Sequence, residues 1–275
     1  MSRHGWRILK VGGELLEDDV RLRGLAAVVA RVSSLLPLTV VHGGGKEIDR
    51  ALARVGIAKH QVDGIRVTDA DTLDVVVSVL AGRVNTRFVA AINAAGGKAV
   101  GLTGADAGLA IAERAAPHVT VSGDTVDLGL VGEPIGQRWP RLLVDLGGNG
   151  YVPVVASIGM SPQGGLLNVN ADTLAAHLAG RLAVARLVIA GGTAGVLDEG
   201  GKTIPRLDRE AVQALIESGV ANAGMVAKLR ACEHALTHGA AEVVLIDGRD
   251  PMAVEAMLIA APGELPAVPT TRMVA

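Results

Sequence analysis

Three polar residues, Asn168, Asn170 and Asp172, take alternate positions in the stretch LLNVNADTLAAHLAG, residues 166–180. Alternation belongs to a strand, and the apolar spacing that follows belongs to a helix. Asp172 therefore stands at a strand-to-helix junction. A carboxylate there either caps the helix or steers cations in a phosphate site. Two glycine loops bear on that choice. KVGGE (10–14) and HGGGKE (42–47) each close an apolar, β-rich run and open a helical one. Glycines at such turns let backbone N–H groups approach a phosphate, and the helix start that follows favours negative charge. Lys10 precedes the first loop, a cation at the end of an apolar strand.

Other chemistries fit less well. Lys46 follows three glycines, but its loop lacks the spacing and the Ser/Thr of GxxxxGK[ST], so it reads as a solvated side chain in a first helical turn. In VIAGGTAGV (188–196) the glycines fall at 191, 192 and 195, a misspaced dinucleotide fingerprint, which argues against an NAD(P)-dependent oxidoreductase. The histidines form no nucleophile–base constellation, and His42 reads as a structural residue at a strand end.

The elements that must position these residues alternate along the chain. WRILKV (6–11), PLTVVH (37–42), KAVGLTG (98–104), YVPVVA (151–156), ARLVIA (185–190) and AEVVLI (241–246) read as near-continuously apolar strands. Helical patterns occupy 18–35, 44–56, 69–96, 137–149, 171–182, 208–219, 223–239 and 250–260. This alternation predicts a three-layer αβα sandwich around a mainly parallel sheet. Residues 108–135 break the rhythm with β-favouring runs around an SGD turn, read as hairpins that form an antiparallel appendage at one edge of the sheet. The tail is expected to end in a short strand. A seam near residue 184 divides an N-terminal lobe, 1–184, from a C-terminal lobe, 185–275.

Composition narrows the function. The net charge of -2, with both signs interspersed, offers no basic stripe for a nucleic acid, and an aromatic content of 1% offers few stacking platforms. The single cysteine, Cys232, excludes an internal disulfide framework and reads as a small buried filler. The N-terminal apolar stretch is too short for a signal peptide, and the uncharged stretch 146–171 carries glycines, asparagines and prolines that a spanning helix tolerates badly. A cytoplasmic protein is expected.

In order along the chain, ILKVGGELL, VVHGGGKEID, DGIRVTDADTLDVV, AGRVN, GLTGADAG, VDLGLVGE, GYVPVVASIG, LLNVNADTLAAHLA and GMVAKLRA resemble the N-acetylglutamate kinase family of the amino acid kinase superfamily. The resemblance covers nearly the whole chain and is weakest over the last thirty or so residues. It implies an acyl-amino-acid half and a nucleotide half, and transfer of the ATP γ-phosphoryl to the side-chain carboxylate of N-acetyl-L-glutamate in arginine biosynthesis. A carboxylate is already ionised at neutral pH, so the reaction needs charge neutralisation and alignment rather than a general base.

By the same resemblance, Lys10 and Lys228 neutralise the moving phosphoryl and Asp172 lies between them, holding both. Gly44 and Gly45 match backbone donors facing the substrate and the transferred phosphoryl, Arg66 matches the residue gripping the substrate's α-carboxylate, and Asn168 matches a second substrate contact. Gly12, Gly13, Gly191, Gly192, Thr193, Gly195, Val220 and Asn222 match the nucleotide-binding segments, although the family usually carries an acidic or amide residue at Gly192. Mg²⁺ is expected on the ATP phosphates, with no protein metal site. A homodimer insensitive to arginine is expected, because the extra N-terminal helix and C-terminal signature of arginine-sensitive members are not matched. Two other readings stay open. One is a kinase for another acyl amino acid, such as N-acetyl-2-aminoadipate or a carrier-linked substrate of lysine biosynthesis. The other is a non-catalytic amino-acid sensor on the same fold.

Overall fold

The computed structural model describes residues 5–120, 123–219 and 223–274. Its strands are β1 (Arg7–Val11), β2 (Leu38–His42), β3 (Gln61–Val62), β4 (Ile65–Arg66), β5 (Ala99–Thr103), β6 (Ala112–Arg114), β7 (His118–Val119), β8 (Thr125–Val126), β9 (Val131–Pro134), β10 (Val152–Ala156), β11 (Ile158–Met160), β12 (Leu166–Val169), β13 (Arg186–Gly191), β14 (Arg206–Leu207), β15 (Val243–Asp247) and β16 (Thr270–Met273). Its helices are α1 (Asp19–Ser33), α2 (Gly45–Arg54), α3 (Ala70–Val77), α4 (Asn85–Ala94), α5 (Arg141–Gly148), α6 (Ala171–Leu182), α7 (Arg209–Glu217), α8 (Ala223–Thr237) and α9 (Pro251–Ile259). Each apolar run and each helical pattern named from the sequence has its counterpart here.

The main sheet has the order β14-β16-β15-β13-β1-β2-β10-β5. Neighbouring strands are parallel except β15 and β16, so β14 and β16, at one end of the order, run together against the other six. Both faces are covered, and side chains alternate between them with period two. Leu9, Val11, Val40, Val154, Val188 and Ala190 join α1, α3, α4 and α9 in one core. Ile8, Val41, Val155, Leu187 and Ile189 join α5, α6 and α8 in the other. Lys10 follows Ile8 by two, so it faces the layer that contains α6 and α8. The strand parity alone decides this.

Several helix starts carry their own signals. Asp18, Asp69, Asn170, Asp208 and Asp250 each accept from backbone N–H groups of the first turn. The expected helix 69–96 is one continuous run, Ala70–Ala94, interrupted by a π-helical turn at Ser78–Val84. Its length and composition would suit a membrane span. Val76, Leu80, Val84, Phe88 and Ile92 instead pack it into the core of the sandwich.

The edge hairpins are more elaborate than expected. β7 and β8 form a small antiparallel ladder on either side of the SGD stretch, 122–124, and residues 121 and 122 lie outside the described set. β6 and β9 instead join β11 and β12 in a second sheet, ordered β11-β12-β9-β6. β12 and β9 pair in parallel there, so this appendage is mixed rather than antiparallel. Parallel pairing needs a long crossover, and α5 and β10 supply it, which local turn signals could not indicate.

Candidate active site

Strand order brings the glycine loops together. β1 lies between β2 and β13, with Val11 level with both His42 and Ala190. Gly12–Gly13, Gly43–Gly45 and Gly191–Gly192 therefore open side by side at the carboxyl edge, where open α/β sheets take their ligands. A Cβ on Gly13 would come within 2.6 Å of the Gly44 Cα and 2.8 Å of its N, so the first two loops touch and only glycine fits. The N-terminus of α2, with its first-turn N–H groups, begins at Gly45.

Over this edge lies the start of α6. Asn170 caps it, its Oδ1 accepting from Asp172 N at 2.8 Å and Thr173 N at 3.2 Å. Because Asn170 takes the capping task, the Asp172 carboxylate is free for another. Lys10 Nζ lies 2.9 Å from its Oδ1, and Lys228 Nζ donates to its Oδ2 at 2.8 Å. The Lys10 contact has ion-pair distance without hydrogen-bond alignment, and Oδ1 accepts no hydrogen bond among the described residues. Burial pushes the Asp172 carboxyl upward, but the two lysine charges outweigh it and bring the group down to about 2. Burial alone would lower the Lys228 amine, and Asp172 reverses this and raises it. Two cations and one anion make the trio itself net positive beside the glycine loops, while the Glu14 carboxylate, close to the same loops, offsets part of that charge.

Beside this trio lies a polar pocket wall. Arg66, on β4, is 7% exposed. Its Nη2 donates to Asp49 Oδ1 at 2.5 Å and to the Gly45 carbonyl at 3.2 Å. Its Nη1 is buried and has no hydrogen-bond partner among the described residues. A buried guanidinium with one arm unsatisfied is prepared for an anion from outside the chain. Asn168 Nδ2 donates to Thr68 Oγ1 at 3.1 Å, and Thr68 Oγ1 donates to the Arg66 carbonyl at 3.0 Å. Thr68 is therefore the link between two named candidates. Its place two residues after Arg66 in GIRVT was the available signal.

The glycines of the third loop divide. A Cβ on Gly191 or Gly192 would lie 3.7 and 3.9 Å from Glu14 Oε1, and one on Gly12 within 2.4 Å of the same oxygen. Glu14 thus reaches across both loops, a carboxylate that sequence reasoning left out. Gly195 has φ +92°, and a Cβ there would meet Thr271 Oγ1 at 2.5 Å, so the turn against β16 accounts for it. Thr193 Oγ1 donates to the Gly195 carbonyl at 3.2 Å, within its own loop. Val220 and Asn222 lie outside the described residues. Lys46 is 68% exposed and Cys232 fully buried, as the sequence reading has them.

The whole-chain comparisons agree with this geometry. A profile of the amino acid kinase family matches residues 5–247. A protein of Gluconacetobacter diazotrophicus named acetylglutamate kinase is 40% identical over 265 residues, 94% of this chain and 84% of its own. One of the same name from Caulobacter vibrioides is 40% identical over 260 residues, 90% of this chain and 84% of its own. Among solved structures, an N-acetylglutamate synthase from Neisseria gonorrhoeae, complexed with coenzyme A and N-acetyl-glutamate, superposes with a TM-score of 0.79 at 24% identity. That match covers 98% of this chain but 59% of that one, so it carries the fold alone. The glycine loops, the lysine–aspartate–lysine trio and the full-length relatives together assign the chain to the amino acid kinase family, within its acetylglutamate kinases.

Proposed function

We propose that this protein transfers the γ-phosphoryl group of ATP to the side-chain carboxylate of N-acetyl-L-glutamate. The products are N-acetyl-L-glutamyl 5-phosphate and ADP, in the route to arginine. A carboxylate oxygen forms the new bond to the γ-phosphorus as the bond to the β–γ bridging oxygen breaks, and the electron pair leaves with ADP. No proton has to be removed from the nucleophile.

The observation that carries this reading is Asp172 held between Lys10 and Lys228 above the glycine loops. Two anions must meet, and charge shifts onto the phosphoryl and bridging oxygens. Compact ammonium groups can follow those oxygens without imposing a fork geometry. Gly44 and Gly45 supply backbone donors, while Gly12, Gly13, Gly191 and Gly192 let the nucleotide phosphates approach. Arg66, through its unsatisfied Nη1, takes the substrate's α-carboxylate, and Asn168 is a second contact.

Residues 1–184 would then hold the acyl amino acid and 185–275 the nucleotide, with β1 and β13 side by side at the junction. Mg²⁺ arrives on the ATP phosphates. Glu14, beside three of the phosphate-loop glycines, is the residue suited to help hold it. A cytoplasmic homodimer is the assembly proposed, and β5, at one end of the main sheet, is an edge that a second copy can meet.

A coupled ADP-release assay with MgATP and a panel of acyl amino acids tests the reading. N-acetyl-L-glutamate should give the highest kcat/KM. One methylene separates it from N-acetyl-2-aminoadipate, a discrimination of about 1–3 kcal/mol. A preference for the longer substrate would move the protein to lysine biosynthesis, and no ADP release from any acyl amino acid would leave a sensor.

A further inference from the structure

His42 ends β2 and is fully buried on the face covered by the long helix Ala70–Ala94. Its Nε2 lies 3.0 Å from Asn85 Nδ2, and its Nδ1 lies 3.1 Å from the Gly43 carbonyl oxygen. The same Asn85 Nδ2 donates to the Val154 carbonyl at 2.8 Å. That bond fixes which way the amide is turned, because a carbonyl oxygen can only accept. The nitrogen facing His42 is therefore a donor, and Nε2 must be the unprotonated, accepting nitrogen. The ring proton is on Nδ1 and is donated to the Gly43 carbonyl. A charged imidazolium would set one N–H against another. Burial, only partly offset by the Gly43 bond, lowers the imidazole to about 4, which agrees with a neutral ring.

The Gly43 carbonyl belongs to the peptide that ends in the Gly44 N–H. Across a planar trans peptide these two groups point in opposite directions. Holding the carbonyl back toward the ring therefore turns the Gly44 N–H outward, at the place where Gly44 meets Gly13. Asn85 reaches the ring from the residue that follows the π-helical turn Ser78–Val84. Leu80 and Val84 of that turn close on Gly44, where a Cβ would come within 2.8 and 3.3 Å of them. One helix segment thus supports both the histidine and the loop it aims.

We propose that His42 is a positioning residue for phosphoryl transfer. Locked by Asn85 as the Nδ1–H tautomer, it pins the Gly43–Gly44 peptide so that the Gly44 N–H faces the transferred group. This rests on the phosphoryl-transfer reading of the site. It adds two residues to that site, neither of which touches substrate.

The tautomer is read directly by long-range proton–nitrogen correlation on the wild-type enzyme labelled with ¹⁵N-histidine. The His42 signals are assigned by their loss in His42→Asn. Expected is a neutral ring at pH 7 with its proton on Nδ1. A proton on Nε2, alone or with Nδ1, overturns the proposal. In kinetics, His42→Leu should lower kcat by about 10²-fold, the loss typical of one misplaced transition-state donor. KM values for both substrates should stay within about threefold of wild type, since binding groups are untouched. His42→Asn, whose amide N–H can replace Nδ1–H, should restore most of kcat. Folded His42→Leu with wild-type kcat, or His42→Asn as damaged as His42→Leu, overturns it. The tautomer readout does not depend on the substrate. Failure of the phosphoryl-transfer reading shows separately, as absence of ADP release from the wild type.

Discussion

At the scale of single residues, Asp172 and Arg66 carry the sharpest expectations. Asp172→Asn keeps shape and removes the charge that holds Lys10 and Lys228 in place against their mutual repulsion. Turnover should fall by about 10²-fold or more, as for the loss of one element of transition-state electrostatics. Far-UV circular dichroism and cooperative unfolding should persist, since Asn170 and not Asp172 caps α6. A near wild-type kcat in that variant would remove Asp172 from its organising role. Arg66→Lys keeps the charge but loses the second arm of the fork, including the unpaired Nη1. A charge-assisted hydrogen bond is worth about 1.5–3 kcal/mol, so KM for the acyl amino acid should rise about 10- to 100-fold. Initial-rate kinetics at saturating MgATP measure it, and an unchanged KM would place the α-carboxylate elsewhere.

At the scale of elements, the two edges of the parallel sheet do different work. The carboxyl edge holds ligand loops. The amino edge is tied shut by Arg186, fully buried at the start of β13. Arg186 donates to Glu242 Oε1 at 2.5 Å and to the carbonyls of Met257 (2.5 Å), Ala261 (3.0 Å) and Glu264 (2.8 Å). It thereby caps the end of α9 and locks that helix to the strands it covers. Arg186→Ala leaves Arg272, whose Nε donates to Oε2 at 2.8 Å, as the remaining cation on the buried Glu242. It also strips the carbonyls of Met257, Ala261 and Glu264 of their shared donor, so it should cost about 3–5 kcal/mol in urea unfolding. Far from the chemistry, it should leave the kcat of the surviving folded protein near wild type. Asn170→Ala should show a different balance. Loss of an N-cap costs about 1 kcal/mol, but the first turn it loosens contains Asp172, so kcat should fall as well. An Asn170→Ala enzyme with unchanged kcat would show that the cap does not position the carboxylate.

For the molecule as a whole, stability should depend on acid well before its carboxylates titrate. His42 and His177 are both brought down to about 4, in each case chiefly by burial. Unfolded, both would titrate near 6.5. Their contribution is present in full above that value. It is lost as the pH falls toward 4, because the unfolded chain takes protons the folded one refuses. Asp172 is held at about 2, so its contribution survives to about pH 4 and is lost only below that. The urea midpoint should therefore drop between pH 7.5 and pH 5, and His177→Gln should flatten part of that drop. Equal midpoints at the two pH values would refute the buried neutral histidines. The same scale shows how much was legible. Each major strand and helix could be read from apolar periodicity, and the caps from Asp and Asn at helix starts. The parallel pairing of β9 with β12 could not, since nothing local joins them.

The chain's own residues determined the αβα alternation, the glycine loops at strand ends and the parity that turns Lys10 toward the layer of α6 and α8. These depend on spacings of two to four residues, and the backbone's periodicities transmit them directly. Tertiary structure alone decided which loops are neighbours. Strand order set β1 between β2 and β13 and brought Lys228 from a distant helix onto Asp172. It also left Arg66 with an unsatisfied arm and placed Asn85 on His42 through a π-helical turn. Contacts between residues so far apart along the chain are selected by the packing of whole layers, and no local rule of spacing encodes that packing.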